Sequence, residues 1–207
     1  MSFSLQFVLV LIGTFMIALV LTPLVRLFSF KIDAVDYPNA RRINTKPMPS
    51  AGGLSIVIAF SIATLVFIPM LTSTTAPIKS YLSYTLPVVG AGWIIALTGL
   101  IDDVKELSAK KKMIGILLAA SLVWFLTDFR LNDFKIPFGG PLLHFEPWLS
   151  YLLTVIWIVS ITNAVNLIDG LDGLVSGVSI ISLVTMGIVS YFFLRSEEHT
   201  SELQSLA

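Results

Sequence analysis

Amides, carboxylates and glycines recur within eleven consecutive positions, 163–173, at the end of an apolar stretch. The polar residues follow one another at steps of three: Asn163, Asn166, Asp169 and Asp172, with glycines at positions 170 and 173. A carboxylate at the edge of a membrane costs free energy unless a cation or a polar substrate binds it, and glycine lets the backbone approach a bulky anion. The pattern therefore predicts part of a phosphate-handling site.

The spacing alone leaves two interpretations of this segment open. If one helix continues through it, Asp169 and Asp172 lie on the same face and can act together. The amides Asn163 and Asn166 fit equally well as small polar residues that hold membrane helices together. That alternative explains the amides better than it explains the carboxylates.

A second acidic pair, Asp102 and Asp103, directly follows another apolar stretch. Adjacent carboxylates repel each other, and Mg²⁺ relieves this repulsion because it binds one or two carboxylates together with substrate phosphate oxygens. The alternative is a solvated helix end near Lys105.

A third polar segment, 36–53, carries Arg41, Arg42 and Lys46 between prolines and ends on two glycines. Its cations suit a diphosphate and suit anionic lipid headgroups equally well.

The composition requires a membrane to position these residues. Of the 207 residues, 56% are hydrophobic and 13% are charged, which a soluble domain could not accommodate. The absence of cysteine excludes disulfides and thiolate metal sites. Apolar segments near the length of a membrane span predict an all-α, polytopic bundle of six transmembrane helices, the fourth being the shortest: 5–27, 53–71, 82–101, 113–126, 148–165 and 174–194.

The distribution of basic residues predicts the orientation of this bundle. Lys and Arg concentrate in the first and third connections, whereas the second holds only Lys79. Because such residues accumulate on the cytoplasmic side, we expect the N-terminus outside and the first, third and fifth connections in the cytoplasm. All three polar segments then lie on one face of the plasma membrane. This arrangement requires the short fourth helix to cross the membrane.

These segments together resemble the polyprenyl-phosphate N-acetylhexosamine-1-phosphate transferases, the glycosyltransferase family 4 enzymes, which include the phospho-N-acetylmuramoyl-pentapeptide translocase. The resemblance covers residues 1–195 and rests on the first loop, the Asp102–Asp103 pair and the NxxNxxDGxDG pattern of 163–173. It implies a phosphotransferase that moves a sugar 1-phosphate, expected to be N-acetylglucosamine 1-phosphate, from a UDP-sugar to undecaprenyl or another polyprenyl phosphate. UMP is released, in the first membrane step of bacterial cell-wall, teichoic acid or polysaccharide assembly.

The resemblance also implies roles for particular residues. Asp102 and Asp103 match the pair proposed to bind Mg²⁺, with Mn²⁺ as an alternative, or to help deprotonate the lipid phosphate. Asp169 and Asp172 match a second catalytic acidic pair. The residues expected to contact substrate are Asn163, Asn166, Lys112, Arg41, Arg42 and Asn44. Nucleic acid is not expected as a partner, and a homodimer stays open.

The sequence departs from the family pattern at several positions. Asn44 replaces a frequent histidine, residues 50 and 51 replace an Arg-Met pair, and Ile116 stands where glutamine is common. The family's later aspartate and histidine loops have no counterpart, so we expect this chain to be a truncated, inactive N-terminal part. Residues 196–207 resemble a translated sequencing adaptor, with a genuine polar tail as the alternative.

Two other functions remain as hypotheses. The pentapeptide translocase branch commonly has threonine before the aspartate where this chain has Ile168, which favours the branch acting on sugars alone. An ion-coupled transporter would use the four aspartates along a pathway. Transporters place such acids near the middle of the bilayer, whereas here we expect them at helix ends, so the enzyme is favoured.

Overall fold

The computed structural model describes residues 3–38, 46–71, 78–136, 140–169 and 173–205, with side chains described from Leu5 to Phe192 within those ranges. Contacts divide the chain into two compact units, Met1–Val159 and Ser160–Ala207. The residues described are helical apart from short connections and two small hairpins. The predicted all-α membrane fold is confirmed.

Six helical segments occur among the described residues, as predicted. The second of them is continuous but contains a π-helical turn, Ala63–Phe67, between α2 and α3. The bounds are α1 Phe3–Lys31, α2 Gly53–Ile62, α3 Ile68–Leu71, α4 Ile78–Lys105, α5 Ala109–Leu126, α6 Pro147–Ile168 and α7 Leu174–Ser205.

Five segments of the described chain are long and apolar enough to cross a membrane: Leu5–Lys31, Gly53–Leu71, Ile78–Lys105, Pro147–Ile168 and Leu174–Phe192. The fourth predicted span, α5, is outside this set, since three lysines occupy its first turn. Its 18 residues nevertheless rise about 27 Å at 1.5 Å per residue. Because the lysine stems are long, their ammonium groups can reach the membrane surface from that turn.

Two antiparallel hairpins complete the first unit. Strand β1 (Val35–Asp36) pairs with β2 (Met48–Pro49), so the first loop is closed at its base. Strand β3 (Asp133–Lys135) pairs with β4 (Leu142–His144) between α5 and α6. A hydrogen bond between His144 Nδ1 and Asp133 Oδ1 lies across this second hairpin.

The interior of the first unit consists mainly of small residues, including Ala59, Ala63, Ala91, Ala119 and Ala120. Large apolar side chains are exposed along the helices, as expected for surfaces that face lipid. Polar side chains connect neighbouring helices: Trp93 Nε1 donates to Ser61 Oγ at 3.0 Å, and Tyr81 OH donates to the Thr64 carbonyl at 2.7 Å. The latter carbonyl lies in the π-helical turn, where the regular backbone bonding pattern is interrupted.

Within the second unit, α7 presents exposed side chains throughout residues 180–192. Its helical backbone continues to Ser205 and so includes most of the segment 196–207. The prediction about the origin of that segment stays a prediction.

Helices α4 and α5 are in close contact where Gly115 faces Thr98. A Cβ atom at position 115 would lie 2.7 Å from Thr98 Cγ2 and closer still to Thr98 Oγ1. Contacts this short require side chain or backbone to shift. Glycine at position 115 therefore sets the distance between the two helices.

We predict that Gly115→Ala lowers the free energy of unfolding by about 1–3 kcal/mol, the usual range for overpacking. Thermal unfolding of the purified chain in detergent measures the effect. Gly99→Ala is the matched control, since nothing lies within 4 Å of a Cβ atom there, and alanine should leave stability unchanged or slightly higher. Equal behaviour of the two variants would contradict the close α4–α5 contact.

Candidate functional site

The end of α4 and the start of α5 are joined by an ion pair. Lys112 Nζ lies 2.8 Å from Asp102 Oδ2, and the two side chains are 28% and 22% exposed. Asp102 stands in the last turn of α4, whereas Lys112 stands in the first turn of α5. The pair thus connects two helices across a connection of only three residues, 106–108.

The second carboxylate oxygen of Asp102 binds the connection itself. The backbone N–H of Leu107 donates to Asp102 Oδ1 at 3.0 Å, and the N–H of Glu106 donates to the Asp102 carbonyl at 2.8 Å. Glu106 has a φ of 46°, a left-handed conformation that is common just after a helix and usually adopted by glycine. Asp102 therefore accepts hydrogen bonds with both carboxylate oxygens and with its carbonyl.

Asp103 occupies a different environment from its neighbour. Consecutive helical residues point about 100° apart, and Asp103 is exposed whereas Asp102 is half-buried. No group of three or more His, Cys, Asp or Glu that could hold a metal occurs among the described residues. The Asp102–Asp103 pair can thus supply at most two protein carboxylates to Mg²⁺, a number that suits this ion when phosphate and water complete its shell.

The first loop begins and ends beside this end of α4. Val25, Ala34 and Ala51 form a buried cluster, against which Leu100 of α4 packs. The backbone N–H and the hydroxyl of Ser50 both donate to the Ala34 carbonyl, at 3.1 and 3.0 Å. The structure therefore brings the base of the first loop close to the acidic pair. Arg41, Arg42 and Asn44 lie outside the described residues.

A left-handed residue also marks the entry to this loop. Asp33 has a φ of 60°, and its Oδ1 accepts a hydrogen bond from Tyr37 OH at 3.0 Å. This hydrogen bond, followed by the negative charge of Asp33, raises the pKa of Tyr37 above its ordinary value. Tyr37 therefore keeps its proton at neutral pH and can continue to donate it to Asp33.

The polar segment that begins at Asn163 lies in the second unit. Asn163 and Asn166 stand on the last turns of α6, with Asn163 half-buried and Asn166 exposed. Asp169 follows the helix in a turn, and its N–H donates to the Val165 carbonyl at 3.2 Å. Because α6 ends at Ile168, it does not carry Asp169 and Asp172 on a shared helical face. Asp172 itself lies outside the described residues.

Gly173 directly precedes α7 and has a φ of 82°, a backbone conformation that is strained for residues with a side chain. Its carbonyl accepts a hydrogen bond from the N–H of Gly177 at 2.8 Å. The backbone conformation at the final position of the NxxNxxDGxDG pattern therefore favours glycine. The sequence interpretation had explained this glycine only by the approach of an anion.

Sequence reasoning missed the pairing of Asp102 with Lys112. It assigned both residues to the site but treated Asp102 as a metal ligand and Lys112 as a substrate contact. The available signal was the connection between the two helices, since a turn of three residues returns α5 antiparallel to α4. Residues near the two ends of such a turn then meet across it.

Comparisons with known proteins agree with the motifs. The sequence profile described as glycosyl transferase family 4 matches residues 85–206. A Bacillus subtilis protein named "Probable undecaprenyl-phosphate N-acetylglucosaminyl 1-phosphate transferase" is 38% identical over 156 residues, covering 75% of this chain and 40% of that protein.

Two mycobacterial proteins, both named "Decaprenyl-phosphate N-acetylglucosaminephosphotransferase", are also similar. The Mycolicibacterium smegmatis protein is 34% identical over 56% of this chain and 28% of its own length. The Mycobacterium leprae protein is 32% identical over 67% of this chain and 34% of its own length. The chain therefore spans less than half the length of the curated relatives it matches. No solved structure matches it significantly.

We predict a measurable coupling between Asp102 and Lys112 in a double-mutant cycle. Asp102→Asn keeps an acceptor for the Leu107 N–H but removes the charge, and Lys112→Met removes the ammonium while keeping an unbranched stem. Half-buried pairs of this kind are expected to couple by about 0.5–1 kcal/mol. Unfolding of the two single variants and the double variant in detergent measures it.

The matched control is the same cycle with Lys111→Met in place of Lys112→Met. Lys111 is exposed in the same helical turn and should show no coupling with Asp102. Strictly additive effects of Asp102→Asn and Lys112→Met would contradict the ion pair.

Proposed function

This chain belongs to glycosyl transferase family 4, and we propose that it forms part of an enzyme that transfers N-acetylglucosamine 1-phosphate from UDP-N-acetylglucosamine to a polyprenyl phosphate. An oxygen of the lipid phosphate attacks the phosphorus that carries the sugar. The new P–O bond forms the lipid diphosphate sugar, and the bond to the inner phosphate of the nucleotide breaks. UMP leaves with the electron pair of that bond.

The observation that carries this proposal is the Asp102–Lys112 pair at the end of two membrane helices. Asp102 fixes the position of the Lys112 ammonium group, and Lys110 and Lys111 precede it in the first turn of α5. The positive end of the helix dipole repels cations at a helix N-terminus and attracts anions there. A phosphate in front of this turn would be attracted by the dipole and by the lysines together.

Phosphoryl transfer needs positioning and charge neutralisation more than covalent participation by the protein. Lys112 supplies a fixed positive charge, and Asp102 keeps it in place. Asp103, which is exposed, is proposed to bind Mg²⁺, which when bound would neutralise charge on the diphosphate. Arg41, Arg42 and Asn44 on the first loop are proposed to contact the same diphosphate, since the base of that loop lies beside α4.

The polar residues of positions 163–172 are proposed to take part in the same reaction. Asn163 and Asn166 offer amides for hydrogen bonds to the UDP-sugar. Asp169 and Asp172 are the other acidic pair, besides Asp102 and Asp103. Asn163, Asn166 and Asp169 lie at or just after the end of α6, as a reaction at the membrane surface requires. The phosphate of a polyprenyl lipid stays in the headgroup plane, so residues that act on it belong at helix ends.

The names of the relatives support N-acetylglucosamine as the sugar and a polyprenyl phosphate as the acceptor. They give less support to the pentapeptide translocase reaction. Residues Asp102, Asp103 and Asp169 stand at helix ends and not in mid-helix, which argues against an ion pathway through the bilayer. The basic connections favour the cytoplasmic face of the plasma membrane for the reaction.

We predict that Asp103→Asn, introduced into a full-length protein carrying this segment, lowers UMP release by at least about 10²-fold, the scale on which losing one charge-stabilising group slows an enzyme. The assay supplies UDP-N-acetylglucosamine, polyprenyl phosphate and Mg²⁺ in detergent. Glu146→Gln is the control, because this exposed carboxylate precedes α6 and lies in none of the proposed contacts. Unchanged turnover by a correctly inserted Asp103→Asn variant would overturn the assignment.

A further inference from the structure

A cavity of about 470 Å³ lies between the beginning of α4 and the end of α5. Polar side chains from α4 and from the segment after α5 line it, among them Ser80, Ser83, Tyr84, Asp128 and Arg130. About 19 helical residues separate Ser83 from Asp102, a rise of about 29 Å along α4. The cavity is therefore about a bilayer thickness from Asp102 along α4, and none of the residues that line it is proposed to act in the transfer.

Arg130 is held in a fixed orientation at this cavity. Its Nε donates to the carbonyls of Trp124 and Thr127, at 2.9 and 3.1 Å. Its guanidinium carbon lies 4.8 Å from the centre of the Trp124 ring, which adds a cation–π contact. Both hydrogen bonds use Nε, so the two terminal amino groups keep the paired geometry that binds a phosphate through two parallel bonds.

Neighbouring residues hold this orientation in place. Thr127 is buried, and its hydroxyl donates to the Val123 carbonyl at 2.6 Å. The N–H of Leu131 donates to Thr154 Oγ1 at 3.0 Å, which fastens the segment after Arg130 to α6. Tyr84 contacts Phe129 with ring centres 5.3 Å apart and ring planes inclined by 37°. The guanidinium is thus presented by a supported turn.

The cavity also contains the opposite charge and an apolar side. Asp128 lines it two residues before Arg130. Phe125 and Leu126 line it from the last turn of α5 and are 62% and 60% exposed. A ligand that carries a phosphate, a cation and apolar chains would match these three features at once, whereas a simple anion would be repelled by Asp128.

We propose that this cavity binds the headgroup of a zwitterionic phospholipid of the phosphatidylethanolamine type. The phosphate pairs with Arg130, and the ammonium group pairs with Asp128. The hydroxyls of Ser80 and Ser83 lie beside the headgroup, and the acyl chains follow Phe125 and Leu126 along the outside of α5. The site binds a structural lipid of the leaflet opposite the proposed reaction and does not depend on transferase activity.

The test is lipid binding by the purified 207-residue chain in detergent, measured by native mass spectrometry and by the shift in unfolding temperature. Phosphatidylethanolamine, phosphatidylglycerol with matched acyl chains, and inorganic phosphate are titrated separately. We expect phosphatidylethanolamine to bind most tightly and to raise the unfolding temperature. Inorganic phosphate should produce neither effect, since it lacks the ammonium group and the chains.

Arg130→Ala should weaken phosphatidylethanolamine binding by about tenfold or more, as expected for loss of a charge-assisted pair. Lys135→Ala is the matched control, because it removes an exposed cation of β3 that does not line the cavity. If Arg130→Ala fails to fold, Arg130→Lys keeps the charge without the paired amino groups and should weaken binding several-fold.

Asp128→Asn supplies a readout that a purely structural role would not change. It should reduce the preference for phosphatidylethanolamine over phosphatidylglycerol, because the group that recognises the ammonium is removed. An unchanged preference in Asp128→Asn, equal binding by wild type and both Arg130 variants, or equal affinity of the wild type for the two lipids would each overturn the proposal.

Discussion

A carboxylate at the end of an apolar membrane helix must be paired, and the pairing of Asp102 determines much of the local structure. Its two oxygens bind Lys112 Nζ and the Leu107 N–H, so the end of α4, the connection and the start of α5 are held by one side chain. Losing either partner would leave a half-buried charge without compensation, which costs more than the pair itself contributes.

The contact between Gly115 and Thr98 extends the same constraint along the helices. Once α4 and α5 are joined at one end and closely packed at Gly115, their other ends are fixed relative to each other. The cavity with Arg130 forms between those other ends. One helix pair therefore carries an anion-attracting turn at one membrane surface and a site with both charges at the opposite surface.

The general architecture was predictable because apolar segments of membrane-spanning length leave few alternatives. All six helical segments of the described residues, including the short α5, form where the hydrophobic runs predicted them. The family was predictable from the NxxNxxDGxDG pattern, since six constrained positions in eleven rarely coincide by chance. Sequence reasoning also placed the first loop and the Asp102–Asp103 pair on one face, and the packing of Leu100 against Ala34 and Ala51 brings the base of that loop to α4.

The details of the site were less predictable, because they depend on side-chain direction and on turns. Equal treatment of Asp102 and Asp103 was natural from sequence, yet a rotation of about 100° between neighbours buries one and exposes the other. The shared face expected for Asp169 and Asp172 depended on a continuing helix, and α6 ends at Ile168. The Arg130 cavity could not be predicted from the sequence, because its residues come from α4 and from α5 with the segment that follows it, and only the fold brings them together.

For a nucleotide sugar to reach the α4–α5 turn and its ion pair, this turn must face the cytoplasm. The chain has no cysteine, so single cysteines at Ser108 in that turn and at Lys135 on β3 report the two membrane surfaces without background. Intact cells expressing each variant are treated with a membrane-impermeant maleimide, before and after permeabilisation. We expect labelling of Lys135→Cys in intact cells and of Ser108→Cys only after permeabilisation. Labelling of Ser108→Cys in intact cells would contradict it.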